Sequence, residues 1–197
     1  MCRLIETIKI SNGKIFNIDY HNQRLNNSRK IFFCCDDEID LLQHIHITDF
    51  IGVGLYKCRI ICTEKIESVE IKPYIIKKIQ SLKLVDGSSI DYEHKFADRS
   101  QIENLFAQRG ACDDVVIIRN GFVTDTSICN MAFFNGHHWY TPEYPLLKGT
   151  KRQQLIDEGL IFEKQIMVAD LKNFEKIRLF NAMIEFGEME IPISAIT

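Results

Sequence analysis

The sequence predicts an α+β fold, and three observations lead there. Asn-Gly pairs at Asn12-Gly13, Asn120-Gly121 and Asn135-Gly136 each separate two runs rich in apolar and β-branched residues. Asn-Gly is the strongest short hairpin signal, because a type I′ turn needs positive φ at both central residues. Helical periodicity is confined to a few short stretches scattered among the strand-like runs, which favours antiparallel strands with interspersed helices.

Taken in order, the first hairpin joins Glu6–Ile10 to Lys14–Asn17. A helix is expected over His21–Phe33, with Leu25, Ser28 and Phe32 on one face, and a second over Glu38–His46. Strands follow at Gly54–Thr63 and Glu67–Tyr74, which carry Ile, Val and Tyr. The lysine-rich stretch Lys72–Ser81 then suggests a domain boundary, with a small N-terminal domain over 1–78 and a larger one over 79–197. Ser81–Val85 reads as a strand. Ser100-Gln101-Ile102-Glu103 has the spacing of a capping box and predicts a helix through Gln108. Ile102, Leu105 and Phe106 would face inward and Gly110 would stop it. The second hairpin joins Asp114–Arg119 to Phe122–Asp125, and the third joins Met131–Phe134 to His137–Tyr140. Thr150-Lys151-Arg152-Gln153 is a similar box, opening a helix that ends near Gly159. A short helix from Asp170 and a strand over Ile177–Asn181 complete the pattern.

Composition narrows the function classes. With 197 residues, 46% hydrophobic and 26% charged, the chain can build a core of normal size. A net charge of -3 excludes a strongly basic nucleic-acid binder and gives no support to an anionic-membrane binder. No apolar run approaches the roughly 20 residues that span a bilayer. No basic stretch followed by an apolar one opens the chain, so no signal peptide is expected. The 7 cysteines are odd in number and lack the spacing of a disulfide framework, which points to reduced thiols and a cytoplasmic location. No metal is expected: His44 with His46, and His137 with His138, lack further ligands at suitable spacing, and Cys58 and Cys62 lie in a strand-like run. No Gly-x-Ser-x-Gly elbow, phosphate-binding Walker loop or dinucleotide fingerprint is present.

The segment from Asn120 to Arg152 carries a denser signal. It runs Asn120-Gly121-Phe122-Val123-Thr124-Asp125-Thr126-Ser127-Ile128-Cys129-Asn130. A hairpin, Tyr140-Thr141-Pro142 and then Leu146-Leu147-Lys148-Gly149-Thr150-Lys151-Arg152 follow. Upstream stand Glu6-Thr7-Ile8-Lys9 and His21-Asn22-Gln23-Arg24-Leu25. In this order the motifs resemble those of the class IV aminotransferase family, the fold-type IV enzymes of pyridoxal 5′-phosphate. That family includes branched-chain and D-amino-acid aminotransferases and aminodeoxychorismate lyase. The resemblance implies a two-domain, D-amino-acid aminotransferase-like fold with a trimmed N-terminal domain. It implies a homodimer with the cofactor held between the domains, and a small-molecule amino substrate.

Pyridoxal phosphate needs a lysine amine, a carboxylate beside its ring nitrogen and a cradle for its phosphate. The resemblance implies that Lys95 is the lysine; Lys83 and Lys151 are the rivals. Asp125 falls where the family carries its ring-nitrogen carboxylate, usually Glu, although Asp-Thr-Ser is also good turn chemistry. Arg24 offers a planar fork of donors for the phosphate. Gly149, Thr150 and Lys151 would set a helix start against it. Ser127 and Asn130 would add hydroxyl and amide contacts. Tyr56 and Arg59, on one strand, could meet a substrate carboxylate. The run Phe96-Ala97-Asp98-Arg99 after Lys95 is closer to lyase-type members, and the tyrosine that aminotransferases often carry there is missing. The expected activity is therefore elimination of pyruvate from 4-amino-4-deoxychorismate, giving 4-aminobenzoate in folate biosynthesis. The alternatives are an aminotransferase of branched-chain or D-amino acids, and a cofactor-binding relative without turnover.

Overall fold

The computed structural model describes residues 2–47 and 53–197. The chain divides into two compact units, Met1–Ile76 with His94–Asp98, and Lys77–Glu93 with Arg99–Thr197.

The first unit is a four-stranded antiparallel sheet carrying one long helix. β1 (Leu4–Ser11) turns through Asn12-Gly13 into the short β2 (Lys14–Ile15). Both turn residues have positive φ, 49° and 75°, as the type I′ hairpin requires. The strand expected to reach Asn17 stops at Ile15, because Asn17 takes a left-handed conformation and starts α1 (Ile18–Phe33). β3 (Leu55–Cys62) and β4 (Ile66–Pro73) extend the sheet in the order β2-β1-β3-β4. Leu4, Ile8 and Ile10 of β1 join Cys58, Ile60 and Cys62 of β3 in one core with Leu25 of α1. α1 buries His21, Leu25, Ser28 and Arg29. Phe32, expected on one face with Leu25 and Ser28, is exposed and stands edge-on to His94 and Phe96.

The helix expected over Glu38–His46 is only a 3-10 turn, Leu41–His44. The cause is competition from side chains. Asn26 holds both the N–H and the C=O of Ile39, Asn22 accepts from the Leu41 N–H, and Asp40 accepts from Leu42. Backbone groups claimed in this way cannot enter a helical ladder.

The second unit holds two sheets. β5 (Leu82–Asp86), β6 (Asp114–Arg119) and β7 (Phe122–Thr126) form one, with β5 and β6 parallel. The turn at Asn120-Gly121 is again left-handed at both residues, 51° and 82°. β8 (Asn130–Phe134), β9 (Trp139–Pro142), β10 (Phe162–Lys164), β11 (Lys176–Phe180) and β12 (Glu190–Pro192) form the other, in the order β10-β9-β8-β11-β12. The third Asn-Gly is not itself the two-residue turn: the Asn135 N–H donates to the His138 carbonyl at 3.2 Å, so Gly136 and His137 make the turn. Phe134 pairs with Trp139, and only Gly136 has positive φ, while Asn135 accepts from the N–H groups of His137 and His138. β9 therefore starts two residues later than expected.

α2 (Ser100–Phe106) and α3 (Thr150–Asp157) lie in this unit. Their cap positions are Arg99 and Gly149, and neither makes a side-chain cap bond. Ser100 and Thr150, expected as the caps of two capping boxes, are instead the first residues inside each helix. The helix expected from Asp170 is a 3-10 stretch, Val168–Asn173. Lys95 was expected in the larger domain. Its segment joins the first unit, because Ile5 N–H donates to the Lys95 carbonyl and Ala97 N–H to that of Arg3.

Candidate active site

The residues singled out from the sequence fall into two clusters, one in each unit. In the first unit, β1 places Glu6 on the side of the sheet that α1 covers, with the carboxylate 2% exposed. His21 and Arg24, three apart on α1, converge on it. Arg24 Nε donates to Oε1 at 2.9 Å and Nη2 to Oε2 at 2.6 Å. His21 Nδ1 lies 2.6 Å from the same Oε2. Burial alone would raise the Glu6 pKa, but the charge of Arg24 and the bond from His21 outweigh it and bring it to about 2. Glu6 is thus an anion at neutral pH and can only accept. His21 Nδ1 must therefore carry the proton. Burial pushes the His21 pKa down against the pull of Glu6, and the charges of Arg24 and Lys95 push the same way.

Lys95 is half-buried in this unit, on a segment bridged to β1 through Leu4 and Phe96. The structure thus brings Lys95 and Arg24 to one charged cluster. Tyr56 and Arg59 are not brought together. They are three residues apart on β3, so they occupy opposite faces: Tyr56 packs on the core and Arg59 is exposed. One substrate carboxylate approaching one face of the strand cannot meet both.

In the second unit, Asp125 ends up 5% exposed near the end of β7. Asn130 Nδ2 donates to its Oδ1 at 2.7 Å, and the Leu147 N–H donates to Oδ2 at 2.9 Å. Burial raises its pKa to about 6, with the Leu147 and Asn130 bonds and the Arg152 charge opposing the rise. Asn130 also donates to the Leu147 carbonyl at 2.9 Å, and so ties β8 to the segment that leads into α3. Gly149 is required there, since a Cβ would stand 2.0 Å from Asn130 Oδ1. The first intrahelical bond of α3 runs from Gln153 N–H to Gly149 O. The N–H groups of Thr150 to Arg152 therefore lie in the first turn, where helices receive anions.

The Lys151 side chain is engaged within the protein, so what it offers a phosphate at the helix start is its backbone N–H. That side chain is 6% exposed, and its ammonium bonds Glu185 at 2.7 Å and Gln154 at 3.0 Å. Ser127 lies in a fixed turn. Its N–H points to Asp114 at 3.4 Å, and its carbonyl accepts from Arg99 Nη2 at 2.7 Å. Thr126 Oγ1 caps the same turn by accepting from Ile128 and Cys129. Sequence reasoning missed Glu6 and His21 as site residues, although both stood inside the quoted motifs. It also missed Leu147, Asp114 and Arg99, which act through backbone groups or on them. A carboxylate on the otherwise apolar face of a strand, Glu6 among Leu4, Ile8 and Ile10, was the available signal.

These residues fit a pyridoxal phosphate group by their own chemistry. Asp125 is a buried carboxylate bonded only by neutral amides, so a protonated ring nitrogen would supply the cation it lacks. The glycine at 149 clears the approach to the α3 start, a fitting place for a phosphate. Among the described residues no group of three or more His, Cys, Asp or Glu is arranged to hold a metal ion. None of the described helices is long and apolar enough to cross a membrane.

Comparison with known proteins agrees with this chemistry. Residues 65–194 match the family model of amino-transferase class IV. An uncharacterised protein of Haemophilus influenzae is 40% identical over 185 residues, which cover 93% of this chain and 98% of that protein. A crystal structure from Haemophilus somnus, described as a "putative 4-amino-4-deoxychorismate lyase", aligns with a TM-score of 0.88 at 39% identity, covering 93% of this chain and 97% of that one. The pyridoxal-phosphate-bound form of a hypothetical aminotransferase from Mycobacterium tuberculosis aligns at 0.78 and 17% identity, over 98% of this chain and 81% of that one, and shares the fold.

Proposed function

Because the chain belongs to the class IV aminotransferase family, whose members are pyridoxal 5′-phosphate enzymes, we propose that it is a 4-amino-4-deoxychorismate lyase. The reaction releases pyruvate from 4-amino-4-deoxychorismate and leaves 4-aminobenzoate, a step of folate biosynthesis. The observation that carries the cofactor assignment is Asp125, a buried carboxylate that accepts from neutral amides and has no cation at hydrogen-bond distance among the described residues. The lyase assignment is supported by the run after Lys95 and by the name of the Haemophilus somnus relative.

In this reading Lys95 supplies the amine that attaches the cofactor, and then moves protons at the substrate as base and acid. Asp125 keeps a proton on the ring nitrogen. Burial leaves the ionised carboxylate short of compensation, and a protonated ring nitrogen would supply the positive charge that holds it as an anion. Arg24 and the first turn of α3, from Gly149 through Thr150 and Lys151, hold the phosphate. Ser127 and Asn130 shape the loop and the Asp125 carboxylate. The cofactor supplies an electron sink for charge that develops beside the substrate nitrogen. The homodimer, the division near residue 78 and a cytoplasmic location are part of the same proposal.

The test is a visible absorption spectrum of the protein with added pyridoxal phosphate, beside Lys95→Ala. Wild type should form a visible band and retain cofactor mass on Lys95 after borohydride treatment; the variant should do neither. Pyruvate and 4-aminobenzoate should then appear from 4-amino-4-deoxychorismate. Amino transfer to a keto acid in place of pyruvate release would make the aminotransferase reading correct. A band without either turnover would leave a binding protein.

A further inference from the structure

We propose that Glu6 is a positioning residue for cofactor recognition: it fixes the Arg24 guanidinium so that one edge stays turned to the cofactor phosphate. The inference rests on the Arg24 assignment made above.

The guanidinium is planar, and its five N–H groups are set in fixed directions. Glu6 takes the Nε and Nη2 edge with both carboxylate oxygens, at 2.9 and 2.6 Å. A bidentate pair sets direction as well as distance, so it also sets where the Nη1 edge points. That edge makes no hydrogen bond to the described residues that the Glu6 pair would have to compete with. His21 holds Oε2 at 2.6 Å and stops the carboxylate from turning about its own axis. Both His21 and Glu6 are almost completely buried, whereas the Arg24 side chain keeps 15% of its surface exposed. The cluster is thus anchored at its buried end and open at the guanidinium.

Two other roles for Glu6 make different predictions. As a plain packing element it would affect every ligand alike. As a counter-charge it would weaken the hold of Arg24 on a dianion, so its removal would tighten phosphate binding. The positioning role is distinguished by comparing pyridoxal 5′-phosphate with pyridoxal, which has the same ring and aldehyde and no phosphate. Equilibrium titrations, read by absorbance, would be run on ligand-free wild type, Glu6→Gln, Glu6→Asp, Arg24→Ala and the double variant Glu6→Gln/Arg24→Ala.

Glu6→Gln should weaken pyridoxal phosphate binding tenfold or more and leave pyridoxal binding within about twofold. Glu6→Asp, which keeps the charge but draws the fork back by one methylene, should show a smaller loss with the same selectivity. It also carries the test should Glu6→Gln not fold. Arg24→Ala should show the phosphate-selective loss, and adding Glu6→Gln to it should cost nothing more. Equal losses for both ligands, or tighter phosphate binding in Glu6→Gln, would overturn the inference while Arg24→Ala still upheld the Arg24 assignment. An Arg24→Ala variant with unchanged selectivity would overturn that assignment, and the role of Glu6 with it.

Discussion

Glu6 and Asp125 are both carboxylates removed from water, yet their acidities move in opposite directions, to about 2 and to about 6. The count of hydrogen bonds does not separate them: Glu6 accepts three, and Asp125 accepts from Asn130 and from the backbone at Leu147 and Leu146. The charge of the donors does. Glu6 meets a guanidinium at hydrogen-bond distance, whereas Asp125 meets an amide side chain and backbone N–H groups. Neutral donors offset part of the desolvation of an anion, and a cation in contact offsets much more. Glu6 is therefore complete in the ligand-free protein. Asp125 is held short of a cation, the state in which a protonated ring nitrogen binds best.

The largest expected effect comes from removing the cation that makes Glu6 complete. Arg24→Ala should lower the unfolding free energy of the ligand-free protein by about 3–5 kcal/mol at neutral pH, the scale for a buried charge that loses its partner. Urea unfolding would measure it. Adding Glu6→Gln should recover part of that loss, because the stranded charge is then gone. A loss below about 1 kcal/mol would mean that Glu6 reaches other compensation, and the contrast with Asp125 would fail.

Asp125 should give the opposite sign. Its pKa is raised in the folded protein, so the folded state binds more protons than the unfolded state between pH 3.8 and about 6. Stability from this group is therefore highest at low pH and falls as pH rises through that window, by about 3 kcal/mol in all. Glu6 has a lowered pKa, so its contribution is present above the model value of 4.5 and is lost as pH falls toward about 2. Between about pH 4.5 and 6 Glu6 no longer contributes a slope, but the raised Asp114 adds to the Asp125 slope and the lowered His21 opposes it, so the Asp125 part is read as the difference between wild type and Asp125→Asn. Asp125→Asn should flatten that slope and be more stable than wild type at pH 8 without cofactor, while turnover falls by about two orders of magnitude. A pH series of urea unfolding curves for both proteins checks the sign, and a variant that follows the wild-type slope would refute it.

Much of this contrast was legible in the sequence, and the rest was hidden for physical reasons. Asp125 stood out as one charge in an uncharged run before a turn, and two of the Asn-Gly hairpins formed as their left-handed preference demands. The third turn is shifted by one residue, to Gly136-His137, because Asn135 pairs with His138 through its backbone and accepts from the His137 and His138 N–H groups with its side chain. β10 and β12 escaped notice. Each is three residues long, and all of Phe162–Lys164 is exposed, so no alternation marks it. The return of Lys95 to the first unit rests on backbone bonds to Arg3 and Ile5, which leave no trace in local composition. Lys151 shows the same limit. Its residue type suggests a free charge, but its partner Glu185 is 34 residues away in the chain.

The smallest of these effects probes the neutral donors themselves. Gly149 has φ -68° and ψ 145°, a conformation open to any residue, so Gly149→Ala brings no backbone strain. The added Cβ would instead meet Asn130 Oδ1 at 2.0 Å and force the amide away from Asp125 and from the Leu147 carbonyl. The cost should be about 1–3 kcal/mol of stability, the usual range for overpacking. Losing one neutral donor should also move the Asp125 titration upward, above its present value of about 6, since that donor favours the ionised form. The double variant Gly149→Ala/Asn130→Ala removes the clash and should be no less stable than Asn130→Ala alone, as double-mutant unfolding would show. Should Gly149→Ala leave the Asp125 titration in place, Asn130 has kept its bond by moving the start of α3. The loss would then be read as weaker phosphate binding, with the ring-nitrogen carboxylate unchanged.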